Sequence, residues 1–149
     1  MKRSISFSFC SILLIFSILF TNSCGNREET VSCFPNSPIN VVLNLNLPAY
    51  FQLQNVSGWI YVNEQESGTR GLIVVRTTNG FNVYDRNAPH ICPDNNTTLS
   101  VENNIKIVCP KDKAEWILLT GEPTNISQVS PKTYRNNFDA ATGILTIFY

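Results

Sequence analysis

VCPKDKAEWILLTGEP, from Val108 to Pro123, is the stretch on which the reading of the fold turns. Upstream of it stands YDRNAPHICP, from Tyr84 to Pro93. Between the two, Leu99-Ser100-Val101 and Ile105-Lys106-Ile107-Val108 flank Glu102-Asn103-Asn104, a pattern that predicts a hairpin. This region holds the single histidine of the chain, His90, and two of its five cysteines, Cys92 and Cys109.

Working outward, the same strand-and-turn grammar continues in both directions. Ile39 to Asn46 largely alternates, with Val41, Leu43 and Leu45 on one face and asparagines on the other. Trp59-Ile60-Tyr61-Val62 and Leu72-Ile73-Val74-Val75 are rich in β-branched and aromatic residues. Asn79-Gly80, between Val75 and Phe81-Asn82-Val83-Tyr84, predicts a hairpin, since glycine takes positive φ freely. A third hairpin joins Tyr134–Phe138 to Ile144–Phe148 around Asp139-Ala140-Ala141-Thr142-Gly143. No stretch keeps helical spacing beyond one or two turns. The expectation is one all-β domain over 39–149, an antiparallel sandwich or barrel.

The amino-terminal end has a different grammar. Lys2 and Arg3 precede an apolar run from Ile5 to Phe20 that ends at Thr21-Asn22-Ser23-Cys24-Gly25. A positive start, a short apolar segment and a small residue before a cysteine resemble a lipoprotein signal peptide over 1–23, with Cys24 as lipid acceptor. Simple secretion and an uncleaved anchor helix are the alternatives. Gly25 instead of Asp after the cysteine favours the outer membrane, facing the periplasm or the cell surface. Residues 24–38 are polar, Pro-containing and aperiodic, and are expected to form a flexible tether.

Charge narrows the partner class. The chain has eleven basic and eleven acidic residues. Losing Lys2 and Arg3 leaves nine against eleven, a net charge near −2. With no basic stripe, a nucleic-acid partner is not expected. The expected partners are the membrane, through the lipid, and an unidentified envelope protein. No serine–histidine–aspartate set, phosphate loop or pair of catalytic carboxylates is present, so the chain is not read as an enzyme.

The segment Gly71–Ile147 resembles the Rieske domain, an all-β fold whose two hairpin loops hold a 2Fe–2S cluster. Cys109-Pro110, Trp116 and Thr120-Gly121-Glu122-Pro123 fall in register with its second loop and the turn after it. Tyr84-Asp85 matches the lead-in strand, and Val129–Tyr134 with Gly143–Ile147 the closing hairpin. With the lipoprotein signal, the chain looks similar to Bacteroidetes lipoproteins carrying degenerate Rieske-like domains.

The ligand positions implied by the resemblance hold Ala88, His90, Cys109 and Asp112. A Rieske cluster has one iron on two thiolates and the other on two imidazoles. Ala88 supplies no donor and Asp112 a hard oxygen where an imidazole is expected. One histidine in the chain makes the ordinary two-His site impossible. Three arrangements remain for the cysteines. Cys92 could complete an atypical set of His90, Cys92, Cys109 and Asp112. Cys92 and Cys109 could form a disulfide across the loop tips, replacing the cross-link a cluster provides. Alternatively the thiols stay free, or Cys33 pairs with one of them. The disulfide between Cys92 and Cys109 is the expected arrangement, and it implies no cluster. The functional expectation is therefore a membrane-anchored envelope lipoprotein acting as a non-catalytic interaction or accessory module. A periplasmic electron carrier with an atypical 2Fe–2S cluster is the alternative.

Overall fold

The structure is a computed structural model that describes residues 30–149. Cys24, Cys10 and the segment read as a signal peptide lie outside the described residues. Ten strands follow one another: β1 (Asn40–Asn44), β2 (Trp59–Val62), β3 (Leu72–Thr77), β4 (Gly80–Asp85), β5 (Ser100–Glu102), β6 (Lys106–Val108), β7 (Glu115–Ile117), β8 (Pro123–Asn125), β9 (Arg135–Asp139) and β10 (Ile144–Phe148). A 3₁₀ helix, Pro48–Gln54, is the helical element of the described chain. All strand pairs are antiparallel, in sheets ordered β1-β10-β9, β2-β3-β4 and β5-β6-β7-β8. The domain is all-β, as its sequence pattern implies.

Two seams join the three-stranded sheets into one barrel-like wall. On one side Tyr84 bridges Thr133, Tyr134 N donates to Val83 O and Asp85 N donates to Lys132 O. On the other, Ile39 bridges Ser67 and Asn40 N donates to Glu66 O. Inside this wall sits a first core, with Val41, Leu43 and Leu45 from the alternating segment beside Leu53, Leu72, Val74, Val83, Leu145 and Ile147. The four-stranded sheet packs on the other face of β3 and β4. There Ile73, Val75 and Tyr84 meet Leu99, Ile107, Trp116 and Leu118 in a second core. β3 thus has both faces covered, which is why Leu72-Ile73-Val74-Val75 reads as a continuous apolar run and not as an alternation. Each such buried side chain contributes roughly 1.5–3 kcal/mol of transfer free energy.

The three predicted hairpins form, with small shifts. Thr77 pairs with Gly80, so the turn residues are Thr78 and Asn79. Asn103 and Asn104 take φ of 53° and 59° between β5 and β6, left-handed positions that asparagine tolerates. Asp139 organises the turn into β10 by accepting from Ala141 N and the Thr142 hydroxyl.

The tether expected over 24–38 needs correction. From Val31 onward the chain belongs to the domain: Val31 N donates to Pro89 O at 2.9 Å, and Cys33 is bonded to Cys92. A segment lacking apolar periodicity is held here by one backbone hydrogen bond and one covalent bond, neither of which leaves a local pattern in sequence.

Candidate functional site

The residues singled out from sequence lie on two loops beyond the Asp85 end of β4. The first loop starts from a buried polar knot. The Asp85 carboxylate, 3% exposed, accepts from the Tyr134 hydroxyl at 2.6 Å and from both Asn87 N and its side-chain amide. A buried carboxylate is costly unless its lone pairs are occupied. Here three donors occupy them, which fixes where the loop leaves the strand. Burial and the Asp85 carboxylate push the Tyr134 phenol pKa far up, so it remains a donor.

The second loop is a tight reversal between β6 and β7. Cys109 N donates to Ala114 O and Lys113 N to Cys109 O, both at 2.9 Å. Lys113 takes φ of 66°, and Asp112 Oδ1 accepts from Ala114 N. Behind the loop, Trp116 is fully buried and donates its indole N–H to Val129 O at 2.8 Å. Gly121 then lies against Tyr84. Its φ is +73°, and a Cβ there would stand 2.8 Å from the Tyr84 ring.

Two side-chain contacts, a histidine–carboxylate hydrogen bond and an ion pair, close the gap between the loops. His90 Nε2 lies 2.6 Å from Asp112 Oδ2, with side-chain exposures of 13% and 27%. Lys111 pairs with Asp94, and Arg70 donates to Thr98 and to Asp94 O behind them. The His90 ring tilts against Trp116 at 5.5 Å between centroids. Burial pushes the Asp112 carboxyl up, but hydrogen bonds from His90, Ala114 N and the Cys109 thiol outweigh it and hold the group below the usual carboxylate range. The Cys109 thiol moves the other way. Burial, reinforced by the neighbouring Asp112 carboxylate, raises its pKa. A buried thiol with a raised pKa is a poor nucleophile.

The expected Cys92–Cys109 disulfide is not formed. Cys92 is bonded to Cys33, with Cα atoms 5.5 Å apart, and Cys109 is a free, buried thiol. The physical reason is the path of the amino-terminal segment, which doubles back along the first loop and brings Cys33 within bonding reach. Cys109 meanwhile turns inward to the second core. The structure thus brings His90, Asp112 and Cys109 together and directs Cys92 elsewhere. The pairing that forms, Cys33 with Cys92, was among the alternatives left open by the sequence, where its signal was an odd number of cysteines after Cys24. Asp85, Tyr134 and Gly121 carried none that marks them as supports of the loops.

The donors do not make up a Rieske ligand set. Ala88 is buried and offers no donor, the Cys92 sulfur is bonded to Cys33, and one thiol, one imidazole and one carboxylate remain. Among the described residues no group of three or more histidine, cysteine, aspartate or glutamate side chains is arranged to hold a metal ion.

Comparison with known proteins gives a distant structural likeness. The ferredoxin of carbazole 1,9a-dioxygenase from Nocardioides aromaticivorans IC177 is similar at 16% identity and a TM-score of 0.43, over 76% of this chain and 98% of that one. A complex of reduced oxygenase and oxidized ferredoxin in carbazole 1,9a-dioxygenase is similar at 15% identity and the same TM-score, over 76% and 94%. No protein-family model matches the chain, and no curated protein does.

Proposed function

We propose that this chain is a lipid-anchored envelope protein whose loop end has kept a Rieske-like outline without the cluster, and which acts as a non-catalytic accessory module. The Cys33–Cys92 bond is the observation that carries this reading. It removes one of the two thiolates that an atypical His90/Cys92/Cys109/Asp112 set would require. His90 and Asp112 hydrogen-bond each other, as groups do when they serve as a cross-link between loops. The Cys109 thiol, buried with its pKa raised, supports packing over redox or nucleophilic chemistry.

A lipid on Cys24 would also set how the domain stands at the membrane. Cys24 precedes Val31 by seven residues, which span at most about 25 Å when extended. Since Val31 is bonded to Pro89, a lipid on Cys24 would hold the loop end near the bilayer surface and turn the opposite end of the barrel outward. Acyl chains on the thioether and the amino group would give the multiple attachment that stable anchoring needs.

Thiol counting beside an iron assay on the purified full chain tests the proposal. In the acylated mature protein, denaturant alone should expose one thiol, Cys109, and denaturant with reductant three, adding Cys33 and Cys92. The protein should be colourless. About two iron atoms per chain with visible absorption would replace this reading with the electron-carrier one. Recovery of a Cys24→Ala variant in the membrane fraction would remove the anchor.

A further inference from the structure

We propose that the barrel end opposite the two loops is a binding site for a small carboxylate, with the Arg76 guanidinium as its anion clamp. Arg76 stands near the end of β3 and pairs across the hairpin with Phe81. Its side chain lies on the same face of β3 as Leu72 and Val74, so it caps the first core at the open mouth of the wall. The guanidinium carbon sits 4.5 Å from the centre of the Phe81 ring and 5.3 Å from that of Phe138.

What sets Arg76 apart is how it is held. Arg70 donates to Thr98 and to Asp94 O, and Arg86 to Leu99 O and Asn63, so both are tied by acceptors. Among the described residues the Arg76 guanidinium makes no hydrogen bond and no ion pair. Ring faces fix it instead, through contacts that use the flat of the guanidinium and leave its donor edge unoccupied. A half-buried cation positioned in this way has lost part of its hydration without gaining an anion.

The space around it suits a ligand. A groove of about 420 Å³ opens on one side, lined by Arg76, Thr78, Asn79, Asn136, Asn137 and Phe138. A second, of about 230 Å³, opens on the other between Arg76, Phe138, Leu53 and Gln54. No aspartate or glutamate lines either groove, so nothing in the mouth competes for the cation. The larger volume falls at the lower end of small-molecule sites, and barrel mouths are a usual place for them. Guanidinium recognises carboxylate through two parallel N–H···O bonds. The carboxamides of Asn79 and Asn137 would meet the amide or hydroxyl groups next to that carboxylate, and Phe138 would meet an apolar edge.

The chemistry in common to two sources is a carboxylate flanked by hydrogen-bonding groups: the end of a short peptide or an acidic sugar. The full chain in detergent micelles would be titrated with N-acetylglycine and with glucuronate, against N-acetylglycinamide and glucose as neutral counterparts. The readout is the side-chain amide resonances of Asn79 and Asn137. One or both carboxylates should shift these signals saturably while the neutral compounds do not, and the tighter of the two identifies the source. Arg76→Gln should weaken binding on the order of ten- to a hundredfold, and Arg76→Lys, which keeps charge but not the fork, about tenfold. Should Arg76→Gln fail to fold, the lysine variant decides. Equal response to the neutral compounds, shifts that bypass both asparagines, or carboxylate affinity unchanged in the variant that folds would overturn the site. None of these outcomes depends on the lipid anchor or on the cluster.

Discussion

The two ends of the barrel treat their polar groups in opposite ways. At the loop end most side chains are tied to one another, Asp85 by three donors, His90 by Asp112, Lys111 by Asp94 and Cys92 by Cys33, although Tyr84 Oη, Asn87 Oδ1 and His90 Nδ1 are buried without a partner among the described residues. At the mouth, Arg76 keeps its donors open and is oriented by aromatic faces alone. A region whose side chains are cross-linked to one another contributes stability and little recognition. A region that holds one charged group in place without a partner gives up some stability and retains recognition. Substitutions should therefore cost much at the loops and little at the mouth.

The largest effect is expected from the strap. The disulfide joins residues 59 apart in sequence, and the chain-entropy treatment of a loop this long gives about 4 kcal/mol. Cys33→Ala should lower the free energy of denaturant unfolding by that order, and reductant should bring the parent protein to the same value. An unchanged midpoint would mean the loops hold each other without the strap, and the contrast between the two ends would weaken.

Gly121→Ala comes next. The new methyl group would press on the fully buried Tyr84 ring in a backbone conformation that alanine resists, so a loss of about 1–3 kcal/mol is expected by thermal or urea unfolding. Tyr84 cannot give way easily, as its ring is fully buried in the second core.

Asp112→Asn sharpens the comparison through pH. The Asp112 pKa is depressed in the folded chain, so the carboxylate contributes stability above its ordinary pKa of 3.8, and this is lost as pH falls below that value. The variant should be less stable than the parent by about 1–2 kcal/mol at neutral pH, with the gap closing under acid. A gap that stayed constant from pH 7 to pH 3 would show the charge has no part in joining the loops.

Arg76→Gln should have the smallest effect on folding, about 1 kcal/mol, since it removes only two cation–ring contacts of a half-buried side chain. A loss as large as that of Gly121→Ala would mark Arg76 as a structural cap instead of an open clamp.

Local chemistry was legible in the sequence, and long-range closure was not. Asparagine and glycine placed the hairpins because positive φ is a property of single residues. The alternation at Val41, Leu43 and Leu45 named one core face because pleating has period two. Loop two was read through a resemblance, and that was possible because the residues that carry it, Cys109-Pro110, Trp116 and Thr120–Pro123, lie in one contiguous stretch. The partner of Cys92 was not legible. Nothing in Val31-Ser32-Cys33-Phe34 signals that the segment returns to Pro89, and the decision rests on a contact between residues 58 apart, Val31 and Pro89. Arg76 escaped notice because an arginine at a strand end is ordinary. Only the placement of Phe138, from a distant strand, makes it unusual.

The strap also decides where the molecule bears tension. The bond between Cys33 and Cys92 closes a covalent ring that contains β1 through β4. A pull on the chain ahead of Cys33 therefore passes into the first loop and does not reach β1. Without the bond, the same pull would arrive at Asn40, which faces Phe148 at the end of β10, and would peel that ladder apart one pair at a time. Under load, the oxidised chain should fail at a force set by the packing of the loops, and the reduced chain at the lower force that unzips a five-residue strand.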